Sequence, residues 1–125
     1  MAPALLLLLL GGPMSGRSLP LEVLPDTLAI CRLPPDGGIP DWVSRPGPFL
    51  TISRTAEELS VTILQRAVPP GIRCERDYRA LRVRGTLPPD LVGILLSIAQ
   101  PLAEAGLAIF AISTYDTDYV LVKAG

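Results

Sequence analysis

Six residues near the C-terminus, Ser113-Thr114-Tyr115-Asp116-Thr117-Asp118, bring together three hydroxyls and two carboxylates. Hydroxyls can hold a carboxylate, and two acids suit an ammonium or a basic side chain better than an acidic one. The same residue types are ordinary in a solvated hairpin turn, so that reading stands beside the first. Asp116 and Asp118 are also the one recognisable carboxylate pair for acid–base chemistry. The chain has no histidine. That removes Ser-His-Asp and Cys-His catalysis, histidine-ligated metals and imidazole proton transfer in one step. Lys123 is the only lysine, at the tail, so a phosphate-binding P-loop lysine is missing too. Catalysis would have to rest on Asp, Glu, Tyr or Cys. We therefore expect no enzyme, no catalytic residue, no cofactor and no metal site.

Cys31 and Cys74 match no metal-ligand spacing, which needs a close pair at each end. They could form one disulfide, but two small buried or half-buried thiols are the expectation for a chain this rich in apolar residues. Arg73, Arg76, Arg79, Arg82 and Arg84 fall within twelve residues, broken by Glu75 and Asp77. Tyr78 is the one aromatic among them, which does not make a stacking platform for single-stranded nucleic acid. A solvated strand face with local ion pairs accounts for them better. Trp42 reads as the closure of a small core.

The chain has 125 residues, 49% hydrophobic and 18% charged, with a formal net charge of −1. This is the balance of one folded domain, or of two very small halves, and not of a disordered segment. Near-neutrality offers no general attraction for nucleic acid or an anionic membrane, and we expect neither as a partner. Fourteen prolines and eleven glycines exceed the average share of about 12%, so turns and linkers take much of the chain. The leucine run 5–10 is far shorter than the roughly 20 residues of a membrane span. It lacks the basic start of a secretory signal. We expect residues 1–18 to be an N-terminal extension, disordered or produced by a misassigned start codon.

A local repeat organises the rest. At a shift of 60, residues 52–61 fall on residues 112–121: a strand ending in Ile-Ser, a polar stretch, an acid and a new strand. Leu33-Pro34-Pro35-Asp36 matches Leu87-Pro88-Pro89-Asp90 at a shift of 54. Residues 79–84 alternate apolar and polar, the period of a strand with one buried face. Thr86-Leu87-Pro88-Pro89-Asp90 then opens a helix, and Leu91, Ile94, Leu95, Ile98 and Leu102 form its apolar stripe. Pro101 should kink or break it, and Gly106 should stop it. Residues 107–113 suggest a strand buried on both faces; a polar turn over 114–118 leads to a strand over 119–123. The first half repeats this β-α-β-β order as strands 27–33, 49–53 and 59–64, with room for one helical turn at 39–43. Residues 19–24 add an edge strand, Pro20 confining it to an edge or a strand start. The expected domains are a first unit over 19–66, a linker over 67–78 and a second unit over 79–125. The fold class is α+β, antiparallel sheet with helices on one face.

Leu21-Glu22-Val23-Leu24-Pro25 leading to Ala29-Ile30-Cys31-Arg32-Leu33-Pro34, then Thr55-Ala56-Glu57-Glu58-Leu59-Ser60-Val61, then Ala103-Glu104-Ala105-Gly106 through Ile112-Ser113-Thr114-Tyr115-Asp116-Thr117-Asp118-Tyr119, resemble small bacterial ACT-domain proteins. That family is similar to the ACT modules of aspartate kinase and of the animal cytosolic arginine sensor. The resemblance covers about residues 21–123. It implies tandem ACT-like units of ferredoxin-like topology that bind a small effector, usually an amino acid, at a seam between units. Carried over, the ligand-binding positions are Ile112, Ser113, Thr114, Asp116 and Asp118, with Ser53, Arg54 and Glu58 in the first half. Gly85, or Gly37 and Gly38, answers to the family's loop glycine. The expectation is a cytoplasmic, homodimeric regulatory module that binds an amino acid. The alternative is a structural dimerisation or docking module with no small-molecule ligand.

Overall fold

A computed structural model of the chain describes residues 5–9, 18–83 and 93–124. The elements run β1 (Leu5–Leu9), β2 (Ser18–Val23), β3 (Leu28–Leu33), α1 (Asp41–Ser44), β4 (Leu50–Arg54), β5 (Leu59–Leu64), β6 (Cys74–Val83), α2 (Ile94–Glu104), β7 (Ile109–Ser113) and β8 (Asp118–Lys123). Residues 26–78 pack as one compact unit; the described residues before 26 pack with the described residues of 79–124 as the other. Both are antiparallel sheets carrying one helix. No helix among the described residues is long and apolar enough to cross a membrane.

In the 26–78 unit β5 lies between β3 and β4, with Leu28 opposite Leu64 and Leu50 opposite Ile63. Period-two alternation sends Ala29, Cys31 and Leu33 of β3 and Leu59, Val61 and Ile63 of β5 to one buried face. Helix α1 covers that face with a single fully buried side chain, Val43. It is as short as its sequence requires: Pro40 precedes it in an extended conformation, and Pro46 and Pro48 follow. Trp42, Ala67, Val68, Ile72 and Cys74 complete the cover, so Trp42 closes the core as expected.

Strand β6 begins at Cys74, inside the stretch expected as a linker. Cys31 and Cys74 face one another across β3 and β6 and are joined by a disulfide, their Cα atoms 4.1 Å apart. The expectation of two thiols fails here because sequence spacing carries no information on which strands become neighbours. Closing a loop of this length removes about 4 kcal/mol of unfolded-state entropy in the chain-entropy model. The β3–β6 register slips between Leu28 and Ile30, and Asp77 takes a left-handed φ of 67°. This bulge is clamped by Gln65, whose Nε2 donates to Asp77 Oδ1 at 3.1 Å while the Asp77 N–H donates to Gln65 Oε1 at 2.7 Å. Aspartate is among the few residues with a side chain that tolerate this backbone region.

In the 79–124 unit β2 pairs with β6, Leu21 opposite Val83 and Val23 opposite Leu81. The segment expected to edge the first half therefore belongs to this unit. Leu5–Leu9, expected outside the fold, runs as a strand along β2 from Leu5 opposite Glu22 to Leu9 opposite Ser18. Strand β8 pairs with both β6 and β7. The core is Leu21, Val83, Ile94, Ile98 and Val120, with Leu95, Leu102 and Ile109 against it. These include four of the five predicted stripe residues of α2; Leu91, like the predicted helix start at 86–90, lies outside the described residues.

Helix α2 runs through Pro101 and does not break there. A proline has no N–H to give to the helix ladder, but the Ala105 N–H bonds the Pro101 carbonyl at 3.0 Å and the last turn closes. Gly106, φ 78°, ends the helix as expected. Its N–H bonds the Ala103 carbonyl at 2.9 Å and the Leu107 N–H bonds the Leu102 carbonyl at 3.1 Å, a Schellman stop. Strand β7 is not buried on both faces. With β8 turned back into the middle, β7 is an edge, its Phe110 39% exposed and Ala111 open to solvent. Two arginines of β6 hold the chain beside it: Arg79 donates from Nε and Nη2 to the Leu24 carbonyl just after β2, at 3.1 and 2.7 Å, and Arg82 pairs with Glu22 on β2.

Candidate functional site

The predicted ligand residues of the 79–124 unit sit on the β7–β8 hairpin. Ser113 is opposite Asp118, and the loop between them is residues 114–117. The Thr114 N–H donates to the Thr117 carbonyl at 2.9 Å, and the Thr114 hydroxyl donates to the same oxygen at 3.0 Å. In return the Thr117 N–H donates to Thr114 Oγ1 at 3.4 Å. Ser113 Oγ donates to Asp118 Oδ1 at 2.7 Å. Thr117, almost fully buried, donates its hydroxyl to the Val83 carbonyl on β6 at 3.4 Å. These bonds make the hairpin self-supporting and anchor it to β6. Ser113 and Asp118 are brought together, Ile112 is half-buried opposite Tyr119, and Asp116 is exposed beside Tyr115, itself 93% exposed.

The counterpart in the 26–78 unit is the β4–β5 hairpin, whose loop is residues 55–58. The Thr55 N–H donates to the Glu58 carbonyl at 2.9 Å, and Thr55 Oγ1 accepts the N–H groups of Glu57 and Glu58 at 3.1 and 3.2 Å. The Arg54 guanidinium donates to the Pro35 carbonyl, and Arg32 Nη2 donates to the Glu57 carbonyl at 2.9 Å. Ser53 is exposed opposite Ser60, and Glu58 is half-buried. Arg54 thus steadies the loop after β3.

Aligned on their loops, the two hairpins correspond one residue away from the letter match. Each loop has four residues and opens with a threonine, so Thr55 answers to Thr114, a shift of 59 and not 60. Arg54 then answers to Ser113, Glu58 to Thr117, and the buried Leu59 to Asp118. A one-residue slip in a strand exchanges its two faces, so the shift of 60 compared side chains that point oppositely. Sequence reasoning passed over Thr55, the residue that shapes its loop; the signal was the threonine that starts each loop.

Of the loop glycines, Gly85 lies outside the described residues. Gly37 follows β3 in a turn, its N–H to the Pro34 carbonyl at 3.4 Å. A pocket of about 40 Å³ in the 26–78 unit is lined by Trp42, Arg45, Phe49, Leu50, Ile63 and neighbouring residues. It has room for a few waters and not for an amino acid. No group of three or more acids and cysteines that could hold a metal lies among the described residues.

A family model for the ACT domain matches residues 73–125. A crystal structure of an Agobacterium tumefaciens protein is 35% identical, with a TM-score of 0.76, over 82% of this chain and 76% of that one. The chain belongs to a family of small ACT-domain proteins. Its ACT match takes in the whole of β6, together with α2 and the β7–β8 hairpin. A second family model, described only as an N-terminal domain, matches residues 26–70, inside the 26–78 unit and ending before β6. A Vibrio cholerae protein of unknown function shares the fold at 20% identity and a TM-score of 0.66, over 82% of this chain and 77% of that one. No curated protein matches the chain.

Proposed function

We propose that this ACT-domain protein is a non-enzymatic, cytoplasmic regulatory module whose effector is an amino acid, taken at a seam of its ACT-like units. The observation that carries the reading is the ACT match over residues 73–125, which includes the hairpin bearing Ser113, Thr114, Asp116 and Asp118. Asp118 is held on a β-strand by Ser113, a placement that suits a carboxylate meant to receive an ammonium group. The first-half positions Ser53, Arg54 and Glu58 stand at the matching hairpin. A tandem organisation is supported by wiring: strand order is β3-β5-β4 in one unit and β6-β8-β7 in the other, each reached through one helix. Homodimerisation fits the edge strands β4 and β7, both largely exposed.

The test is a thermal-shift screen of the full chain against the twenty amino acids and common nucleotides. A ligand present at about 100 times its Kd adds about 2.7 kcal/mol, a rise of several degrees in Tm. One amino acid or a small related set should shift the protein, and Asp118→Ala should abolish that shift while the protein stays folded, losing at most about 1 kcal/mol with the Ser113 bond. A flat screen from folded protein would replace this reading with a docking module that has no small ligand.

A further inference from the structure

The 26–78 unit carries a feature that effector binding does not use. Between the 3-10 turn Gln65–Ala67 and β6 the chain crosses its core as the segment Val68-Pro69-Pro70-Gly71-Ile72-Arg73. Val68 and Ile72 pack on the core, as does Cys74 at the segment's end. The main chain does little to hold it there. Pro69 and Pro70 have no N–H to donate, and Gly71 turns through a left-handed φ of 86°. The Val68 N–H bonds back to Gln65 at 3.1 Å, and the Arg73 carbonyl accepts the Arg32 N–H at 2.9 Å. Beyond Cys74 the register with β3 is short and interrupted: Glu75 is opposite Ile30, and after the bulge Tyr78 is opposite Leu28. The strong tie at the open end of the segment is the Cys31–Cys74 bond.

The two residues of that bond differ in exposure. Cys31 is 1% exposed on the core face of β3, whereas Cys74 is half-buried at the start of β6. Cys74, the more exposed residue of the two, is therefore the end that a thiolate from solvent would meet first. Arg73 and Arg76 flank Cys74 in sequence, with Glu75 between them.

We infer that Cys31–Cys74 is a reversible redox latch, opened and closed by exchange with a small monothiol of the glutathione class, and that it governs whether residues 68–74 cover the small core. The thiolate attacks Cys74 Sγ, forming a mixed disulfide as the Cys31–Cys74 bond breaks, and the Cys31 thiolate takes a proton. A second monothiol attacks the mixed disulfide; the small disulfide leaves and the Cys74 thiolate is protonated. Two monothiols are oxidised and one protein disulfide is reduced. The freed stretch lifts between two anchors, the Val68 bond to Gln65 and the Gln65 clamp on Asp77, with Pro69-Pro70-Gly71 giving way, and uncovers the apolar face that Ile72 occupied.

The experiment uses the full chain in buffers of reduced and oxidised glutathione, with the thiol state read by alkylation and mass, and the fold by hydrogen exchange. The bridge should interconvert reversibly without denaturant. Reduction should speed amide exchange by about tenfold or more over residues 68–74 and leave residues 94–123 unchanged, the pattern of local opening. Cys31→Ser should exchange fast in this segment without reductant and accept one glutathione at Cys74; Cys74→Ser, retaining only the buried Cys31, should accept none. Reduction that needs denaturant, slow exchange in the reduced segment, or glutathione captured at Cys31 would each overturn the latch. If Cys31→Ser fails to fold, the reduced wild-type chain still decides.

Discussion

The two units answer one structural demand by different means. Each contains a strand-helix-strand-strand run whose last strand pairs between the other two, and the 79–124 unit adds β1 and β2 beside β6. In the 79–124 unit the eleven-residue α2 lays Ile94 and Ile98 on the sheet, with Leu95 and Leu102 beside them. In the 26–78 unit prolines hold α1 to four residues, and only Val43 is fully buried from it. The missing cover comes from Trp42, from the segment that leads to β6, and from the disulfide that secures that segment. A helix of three turns supplies most of the cover in one unit; a single turn leaves apolar surface that a crosslinked return segment must take over.

This contrast can be broken most directly at the crosslink. Replacing both cysteines, Cys31→Ala with Cys74→Ala, should cost about 4 kcal/mol in denaturant unfolding, since the 43-residue separation makes the closed loop long. A loss under about 1 kcal/mol would mean that the segment holds itself and that the units do not differ in this way. Ile98→Ala, at a side chain 1% exposed, should cost about 2–5 kcal/mol, more than Val43→Ala, because α2 carries most of its unit's cover. Equal losses would remove the distinction between the helices. Gly106→Ala should cost about 1 kcal/mol from backbone strain alone, since an added Cβ meets nothing within 4 Å. The hairpins supply the control for likeness. Thr55→Ala and Thr114→Ala should each cost roughly 0.5–1 kcal/mol, in the range of a lost side-chain cap, and by similar amounts. A clear inequality would show that the one-residue correction does not pair equivalent turns.

Features that depend on neighbours along the chain are legible in the sequence. The α2 stripe has helical spacing, Gly106 can adopt a left-handed φ where a stop is needed, and the prolines around residues 39–48 leave one turn of helix. The residue types of the hairpin turns were visible too, and so was the reading of residues 114–118 as a turn. Harder was the comparison of the two hairpins. Ile-Ser occurs before each loop, but the ladder pairs Arg54 with Leu59 and Ser113 with Asp118. Matching letters placed the repeat one residue away from the matching geometry, and with it the candidate equivalence of Glu58 and Asp118.

By itself the sequence determined the α+β class, the order of elements in both halves, the absence of histidine chemistry and the short first helix. These follow from local periodicity, backbone restrictions and composition, which act within a few residues. Only the tertiary structure decided that Cys31 meets Cys74, that Ser18–Val23 joins β6, that Leu5–Leu9 runs along β2, and that β7 is an edge. Each of those is a pairing between residues distant in sequence. A strand's alternation reports that it has a buried face, but the partner along its edge is chosen by the whole sheet.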